Sequence, residues 1–436
     1  MEYLLTVLYS AIFLILIRKL KFFNSDGVNF KAISYVFVLK VLAGIVLGII
    51  YTKYYTDRKS ADIFKYFDDS KVMFDALFTN PIDYFKMLFG FANDNAHFDI
   101  YYKTMNNWYR VYESNIYNDS HTIIRFNAFV RIFSFGYYHV HTVFMCFISL
   151  TGLTALYKFF LPILSNKKKE LFFCIFLLPS VIFWGSGVLK EGLLFFGMGF
   201  FLLYLNRIFN KEFSVKAMIW IGISIIVLIF TKTYVLMTLL ILIIPFFWIQ
   251  KSGPKWSWLK YLSVIIIILG IGFNAHYILP DYNIVKMLAQ KQHDFINLAN
   301  SVSSGSLISV TELKPDFFSL LKNIPEAIFN TLFRPHLLDS KSPFILMAAF
   351  ENVLILFIGL ISIIFISRKK INFNYFYLCL FFVLFTFILT GLITPVLGAI
   401  VRYKVPALPF LAVLFLFLLD KEKLLNKFPV LKKYLS

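Results

Sequence analysis

Ionisable side chains interrupt an otherwise apolar sequence at a few positions, and these positions are the candidates for chemistry. Lys190 and Glu191 follow a Gly-Ser-Gly step, and Lys232 stands between two strongly apolar stretches. Four further basic or imidazole side chains follow later in the chain: Arg334, His336, Arg402 and Lys404. Lysine and arginine bind phosphate or pyrophosphate groups, and arginine can do so through two parallel hydrogen bonds. The pattern therefore indicates recognition of a phosphate-bearing ligand.

Carboxylates that could act as a general base lie in one acidic segment. Asp62 opens this segment, and Asp68 and Asp69 close it. A carboxylate can accept the proton of a sugar hydroxyl, and partial desolvation would raise its basicity. Asp62 is the first candidate for the catalytic base and Asp69 the second. Glu191, beside Lys190, is a further catalytic candidate.

No cofactor is expected from the sequence. It contains no GxxxxGK[ST] and no strand-borne GxGxxG, the usual nucleotide-binding patterns. His139 and His141 are two residues apart, so their side chains point in different directions on a helix. The three cysteines lie in apolar stretches, where they are core residues rather than a disulfide or zinc framework. We predict no metal site, with a divalent metal beside the acidic segment as the remaining alternative.

The amino-acid composition predicts the helices that must position these residues. Of 436 residues, 59% are hydrophobic and 15% are charged, against about 45–50% and about 25% in an ordinary soluble domain. Helices of about 20 apolar residues cross a hydrocarbon core of about 30 Å. We therefore predict an all-α, polytopic integral membrane protein with about eleven spans, built as one membrane domain over 1–436. The predicted spans are 3–17, 33–51, 138–160, 171–186, 191–206, 216–231, 234–250, 257–275, 344–366, 373–393 and 404–419.

Basic residues fix the predicted orientation. In an eleven-span arrangement the short basic connections all fall on one side, and the positive-inside rule makes that side cytoplasmic. The N terminus is then outside and the C terminus inside. The net charge of +19 is explained by the basic residues that set the membrane topology and contact lipid headgroups. No nucleic-acid partner is expected. The basic connections are 18–21, 167–169, 207–211, 251–255, 368–370 and 421–433.

Two long segments, 52–137 and 276–343, face the outside in this arrangement. Loops of such length are usually functional. Apolar residues have helical spacing over 63–77 and 123–133, which predicts amphipathic helices on the outer membrane surface. The candidate cations and Asp62 all fall at the outer face, and charged groups at membrane depth usually face a cavity. We therefore expect one convergent polar cavity there.

Each candidate also has a purely structural interpretation. Lys190 and Glu191 could form a helix-capping ion pair, and Asp68-Asp69 could lie on a solvated helix face. Arg402 and Lys404 could be interfacial residues whose charged ends reach the lipid headgroups.

Four short stretches together resemble polytopic enzymes of bacterial surface-polysaccharide assembly. These enzymes include the GT-C superfamily of polyprenyl-phosphate-dependent glycosyltransferases and the Wzy-like polysaccharide polymerases. In GT-C enzymes an aspartate in the first outer loop is typically the catalytic base, a role that the resemblance assigns to Asp62. That loop commonly follows the first span and often carries an acidic pair, whereas here it follows the second, so the choice between Asp62 and Asp69 stays open. The stretches are Asp62 with Tyr66, 179–187 leading into Lys190-Glu191, Phe333-Arg334-Pro335 ahead of Glu351-Asn352, and 402–409.

The resemblance implies a membrane glycosyltransferase or polymerase that transfers sugar from a polyprenyl-(pyro)phosphate donor at the outer face of a bacterial inner (plasma) membrane. Its expected partners are the polyprenyl-linked sugar, membrane lipid and other envelope-assembly proteins. One alternative is a transporter or a flippase of lipid-linked glycans, a class that often shows inverted repeats and broken helices. Another is a non-catalytic membrane subunit of an assembly or secretion complex. The lack of a sequence repeat and the polar residues at one face favour the enzyme.

Overall fold

The computed structural model describes residues 1–24, 27–54, 57–109, 118–301, 305–339, 342–367 and 371–432. This part of the chain is helical and contains no strand, which confirms the predicted all-α class. The first helices are α1 (Glu2–Lys19), α2 (Phe30–Tyr54), α3 (Asp62–Thr79), α4 (Pro81–Phe89), α5 (Asp99–Tyr102), α6 (Ser120–Ser134), α7 (Tyr138–Phe160), α8 (Lys168–Phe176), α9 (Pro179–Trp184) and α10 (Lys190–Phe209). The later helices are α11 (Val215–Ser252), α12 (Ser257–Asn274), α13 (Ile284–Ser301), α14 (Phe317–Phe333), α15 (Pro343–Ile364), α16 (Phe373–Ile393), α17 (Leu397–Tyr403), α18 (Leu408–Leu418) and α19 (Lys421–Lys427).

Eight helical segments within the described residues are long and apolar enough to cross a membrane. They support a membrane protein with several transmembrane helices, but they do not confirm the predicted count of about eleven. The segments are Phe30–Lys53, Tyr138–Phe160, Lys190–Phe209, Val215–Ser252, Ser257–Tyr277, Phe344–Ile364, Phe373–Ile393 and Leu397–Leu418.

Two predicted spans are not among these eight segments, each for a different reason. The predicted span 3–17 corresponds to α1, in which the stretch between Glu2 and Arg18 is shorter than the roughly 20 residues that a span needs. The predicted span 171–186 is divided between α8 and α9. Pro179 begins α9, and a proline disfavours helical geometry at the residue before it and removes a backbone donor.

The predicted spans 216–231 and 234–250 form the 38-residue helix α11. Lys232 inside this helix has non-helical dihedral angles, φ −148° and ψ 81°, so the backbone is broken at that residue. The sequence placed the tight turn of a hairpin at this position. The structure has a non-helical residue at this position, between two helical parts, and the hairpin stays a prediction.

The described chain packs into two compact units, and each is described by itself. The first unit comprises the described residues of 1–109, 118–162 and 181–233. The second comprises those of 163–180 and 234–432. The single membrane domain stays a prediction.

Glycines bring α7 and α10 together in the first unit. A Cβ atom on Gly152 would collide with the backbone of Phe195 and Phe196, and one on Gly199 would collide with the carbonyl of Gly152. Small residues at a helix interface allow such close backbone approach in membrane proteins. The approach leaves no room for a side chain at either glycine, so the pairing of these two helices depends on them.

The two predicted amphipathic helices exist as α3 and α6. On α6, Phe129, Ile132 and Phe133 are exposed, whereas the apolar residues of α3 are used differently from the prediction. Ile63, Phe64 and Phe67 on α3 are buried inside the protein, where they are not available to anchor the helix in lipid. Arg131 of α6 donates hydrogen bonds to the Ser70 hydroxyl (2.8 Å) and to the Phe67 carbonyl (2.5 Å). Burial lowers the pKa of this guanidinium to about 10. The apolar face of α3 is therefore packed against protein.

Lys40, near the middle of α2, is fully buried, and no acceptor among the described residues hydrogen-bonds its Nζ. If Gly185 carried a Cβ atom, that atom would lie 3.0 Å from the Lys40 Nζ. A Cβ atom on Gly44, further along α2, would lie 2.7 Å from the carbonyl oxygen of Ser186. The turn at Gly185 and Ser186 therefore lies beside the middle of α2. The position of this turn at the outer membrane face stays a prediction.

The second unit is organised around α16 and α18. A Cβ atom on Gly391 of α16 would collide with the backbone of Ala327 in α14, so these two helices also approach closely. Lys167 donates hydrogen bonds to the carbonyls of Leu416 (2.7 Å) and Leu419 (2.5 Å) at the end of α18. A cation is favourable at a helix C terminus, where carbonyls lack intrahelical partners. Part of the basic segment 167–169 is therefore used to cap a helix.

Candidate functional site

Two of the predicted phosphate ligands meet at Asp119 in the first unit. The Nζ atom of Lys190 lies 2.8 Å from Asp119 Oδ1, and the Nζ atom of Lys232 lies 3.4 Å from Asp119 Oδ2. One carboxylate thus bridges two ammonium groups. Asp119 was not among the residues that the sequence predicted. We call these three residues the Asp119 cluster.

The helices position the cluster through their ends and breaks. Lys190 is the first residue of α10, whose N terminus carries no side-chain cap. A helix N terminus bears a partial positive charge, which adds to that of the lysine. Asp119 is the residue immediately before α6. Lys232 occupies the break in α11, so all three residues lie where a helix starts or is interrupted.

The break in α11 is stabilised by the start of α6. Thr122 Oγ1 donates a hydrogen bond to the carbonyl of Phe230 (2.5 Å), two residues before the break. A broken helix in a membrane frees backbone groups that must be paired inside the protein. This hydrogen bond pairs one of them and fixes the segment that carries Asp119 against the segment that carries Lys232.

Tyr66 connects the cluster to the acidic segment. Its ring centroid lies 5.2 Å from Lys190 Nζ, a cation–π contact. Asp62 is the first residue of α3 and precedes Tyr66 by one helical turn, and residues four apart lie on the same helix face. Asp62 and Asp69, four residues before and three residues after Tyr66, are therefore both on the face that leads to Lys190, and Asp62 is the less buried of the two.

Asp68 and Asp69 have other partners. Asp68 forms two hydrogen bonds with the Arg58 guanidinium, at 2.7 and 2.9 Å. Asp69 is 1% exposed and accepts the backbone N–H groups of Asn106 (2.7 Å) and Asn107 (2.8 Å). Burial raises the pKa of Asp69, and these hydrogen bonds oppose the rise. Its oxygens hold a loop, so the structure does not support Asp69 as the catalytic base, nor the interpretation of Asp69 as a solvated residue.

Hydrogen bonds link that loop to the cluster. Asn107 Nδ2 donates to the Ser120 hydroxyl (2.9 Å), and Lys190 Nζ donates to the same oxygen (3.3 Å). Glu191 is buried in the first turn of α10, where a negative charge is favourable because of the helix dipole. Asp69 is thus connected to the cluster through Asn107 and Ser120, and Glu191 is next to Lys190 in the chain. The catalytic role of Glu191 stays a prediction.

The remaining candidates lie in the second unit, where Arg334 forms a two-point ion pair. Its guanidinium donates to Asp339 at 2.7 and 3.1 Å, and the Arg334 side chain is 23% exposed. The backbone N–H of His336 donates to the same carboxylate (3.1 Å). Burial alone would raise the pKa of Asp339, but these hydrogen bonds hold it below the usual value. Arg334 is held in place and remains partly accessible.

Lys404 is enclosed by acceptors. Its Nζ donates to the carbonyls of Thr331 (3.0 Å) and Arg334 (3.1 Å) and to Asn352 Oδ1 (2.8 Å), and the residue is 2% exposed. An ammonium group has three N–H donors, and all three are used. The structure therefore gives Lys404 a structural role and does not support a phosphate contact. Arg402, two residues earlier, is partly buried at the end of α17.

Stretches on which the family resemblance depends come together around Lys404. Asn352 Nδ2 donates to the carbonyl of Pro335 (2.9 Å). The neighbouring Glu351 accepts the backbone N–H of Ser180 (2.8 Å) and also its hydroxyl. These side chains are buried, so the arrangement fixes the backbone beside Arg334. The convergent cavity that would join Arg334 to Lys190 and Lys232 stays a prediction.

His141 belongs to an arrangement that has the connectivity of a catalytic triad. Its Nε2 lies 2.7 Å from Ser134 Oγ, and its Nδ1 lies 2.8 Å from Asn127 Oδ1. All three side chains are fully buried, so no substrate can reach the serine. Both ring nitrogens are already engaged, and among the described residues no group of three or more His, Cys, Asp or Glu could hold a metal ion.

Comparison of the chain with protein-family models, with curated proteins and with solved structures found no match. No family is therefore assigned. The function has to be argued from the Asp119 cluster and from the surroundings of Arg334.

Proposed function

We propose that the protein is a membrane glycosyltransferase or polymerase that transfers sugar from a polyprenyl-(pyro)phosphate donor. The observation that carries the proposal is the convergence of Lys190 and Lys232 on Asp119, where two helices capable of spanning a membrane begin or break. Charged groups at membrane depth are costly and usually mark a site. The phosphate of such a donor would pair with the two lysines, and its lipid tail would lie against the apolar helices that carry them.

The chemistry that we propose uses the cluster for the leaving group and Asp62 for the proton. The acceptor hydroxyl oxygen attacks the anomeric carbon of the sugar while the bond from that carbon to the phosphate oxygen breaks. Asp62 takes the hydroxyl proton. Lys190 and Lys232 stabilise the charge on the departing phosphate, and fixed charges in a water-poor site do this effectively.

Each lysine of the cluster is expected to contribute to donor binding. Lys190→Met and Lys232→Met should each raise the KM for the lipid-linked donor by about ten- to a hundredfold, because an ionic hydrogen bond to phosphate contributes about 1.5–3 kcal/mol. The measurement is product formation by the purified protein against donor concentration. Lys71→Met is the matched control, since Lys71 pairs with Asp75 on the exposed part of α3. Wild-type KM values in both cluster variants would contradict the proposal.

We further propose that the protein lies in a bacterial inner membrane with its N terminus outside and its C terminus in the cytoplasm. Single cysteines near Asn93 and Ser303 should react with a membrane-impermeant thiol reagent on intact cells, whereas cysteines near Lys168 and Lys369 should not. Ser303 and the basic stretch 368–370 lie outside the described residues. Labelling from outside at Lys168 would reverse the orientation and move the reaction to the cytoplasmic face.

A second candidate function is a transporter or flippase of lipid-linked glycans. The break at Lys232 favours it, because discontinuous helices are typical of transporter binding sites. Vesicles that contain the purified protein and a labelled lipid-linked sugar separate the two functions. New glycosidic product supports the enzyme, and movement of the unchanged donor between leaflets supports the transporter.

A further inference from the structure

The short helix α4 carries a row of large apolar side chains on its outward face. Ile82, Phe85 and Phe89 recur at intervals of three and four residues, which places them on one side of the helix. They are 65%, 49% and 68% exposed. The ring of Phe91, itself 65% exposed, lies beside that of Phe89 with 6.3 Å between the centroids. We call these four residues the α4 row. A contiguous apolar patch on a protein surface usually marks the place where a partner or a membrane binds.

The opposite face of α4 is fixed to α6, so the row cannot turn inward. Tyr84 and Met87 on that face are fully buried. The Tyr84 hydroxyl donates a hydrogen bond to the carbonyl of Ala128 (3.2 Å), and Arg125 Nε donates to the carbonyl of Met87 (2.8 Å). The α4 row is therefore the outward surface of a helix whose rotation is set by its contacts with the protein.

The helix that holds α4 leads directly to a candidate spanning helix. α6 ends at Ser134, and α7, which is long and apolar enough to cross a membrane, begins at Tyr138. The ring of Phe133 stacks on Phe144 of α7 with 5.9 Å between the centroids, and the Phe133 carbonyl accepts a hydrogen bond from the Tyr9 hydroxyl of α1 (2.7 Å). The end of α6 thus lies beside the first turns of α7, where a spanning helix meets the membrane surface.

The two helices that pack on α6 differ in the polarity of their outward faces. α3 exposes charged residues, among them Lys71 and Asp75, which form an ion pair at 2.6 Å. α4 exposes its apolar row, and α6 itself exposes Phe129 and Ile132. The outward face of α3 therefore suits water, whereas the outward faces of α4 and α6 suit lipid.

The one exposed charge on α4 favours lipid over a second protein. Of the two charged residues in this helix, Asp83 is buried and Lys86, next to Phe85, is exposed. A lysine at the edge of an apolar helix face can extend its ammonium group to the phosphates of lipid headgroups while its methylene groups stay against apolar surface. The apolar row and Lys86 together match the two layers of a membrane interface.

We infer that α4 is an interfacial helix: the α4 row lies among the headgroup ends of the lipid acyl chains, and Lys86 lies at the headgroup phosphates. Lipid, and not a second protein, covers this face. The membrane anchoring that the sequence predicts for α3 is thus provided by α4, the next helix along the chain. The inference does not depend on the proposed reaction.

The experiment places a single cysteine in the α4 row of the full-length protein, which is labelled with an environment-sensitive fluorophore and reconstituted in phospholipid nanodiscs. Phe85→Cys and Phe89→Cys should each give blue-shifted emission. A lipid that carries a nitroxide near the headgroup end of its acyl chain should quench this emission, whereas aqueous iodide should not. Asp75→Cys, on the charged face of α3, is the matched control and should show the reverse. The native cysteines are buried, and the unchanged protein measures any labelling of them.

Two outcomes would overturn the inference. Quenching by iodide at Phe85→Cys and Phe89→Cys, as at Asp75→Cys, would mean that the row faces water and serves a protein partner that the purified chain lacks. Protection from both quenchers would mean that protein, such as a second copy of the chain, covers the row in place of lipid. If neither phenylalanine variant folds, Ile82→Cys probes the same row with a smaller change and is held to the same result.

Discussion

Asp62→Asn should lower product formation by about a hundredfold or more, the scale of general-base catalysis, while binding of the lipid donor persists. The substitution keeps the shape of the side chain and removes its basicity. Asp62 lies one helical turn before Tyr66, whose ring contacts Lys190. In the proposed reaction, a carboxylate one helical turn from that contact would take a proton from a hydroxyl that attacks a sugar held by the cluster. The measurement is initial rate at saturating donor.

Asp68→Asn and Asp69→Asn are the matched controls, because they make the same chemical change elsewhere on α3. Asp68→Asn removes only a partly exposed ion pair with Arg58, which is worth about 0–1 kcal/mol. Asp69→Asn should lower the thermal stability in detergent, since an amide nitrogen would face one of the backbone N–H groups that the carboxylate accepts. A normal rate in Asp62→Asn together with a folded but inactive Asp69→Asn would move the base along α3.

Arg334→Ala should also reduce glycan product by about a hundredfold or more if its guanidinium holds a phosphate during the reaction. Arg334 is positioned by Asp339 through two hydrogen bonds and keeps part of its surface accessible. Removing a preorganised donor that stabilises developing charge costs about 100- to 1,000-fold in rate in other enzymes. Arg334→Lys should recover little, because a lysine cannot reproduce the planar two-point contact.

The structure supplies the control that separates phosphate binding from stability. If Arg334 matters only because it neutralises Asp339, then the double variant Arg334→Ala/Asp339→Asn should recover the activity that Arg334→Ala loses, because no carboxylate is left unpaired. If Arg334 binds phosphate, Asp339→Asn should keep most of the activity and the double variant should remain inactive. Protein abundance and melting temperature must be measured for each, since a partly buried carboxylate left alone destabilises the fold.

Much of the helical framework could be predicted from the sequence, because long apolar runs allow few other structures in a membrane. The helices α3 and α6 were also predicted, from apolar residues at helical spacing. Their surroundings were not. Apolar residues at helical spacing can face either lipid or protein, and in α3 Phe64 and Phe67 face protein.

The candidate site was predicted in part. Lys190 and Lys232 were singled out because a charge in an apolar stretch is conspicuous, and the structure brings them together. Asp119 was missed because it lies in a polar segment where an aspartate is ordinary. Its importance comes from two residues that are distant in the chain. Three acceptors use all the N–H donors of Lys404. The sequence could not predict this, because two of these acceptors are backbone carbonyls of residues that are distant in the chain.

Lys40 has a consequence for how the chain is made. A lysine at the centre of a helix costs about 2.5–3.5 kcal/mol during insertion, whereas each Leu, Ile, Phe or Val contributes about −0.3 to −0.6. The rest of α2 is apolar enough to offset this cost, so α2 can enter the bilayer before its partners are synthesised. The turn at Gly185 that covers the amine is made much later. This turn can therefore cover the Lys40 amine only after residues 185 and 186 have been synthesised, well after α2 itself.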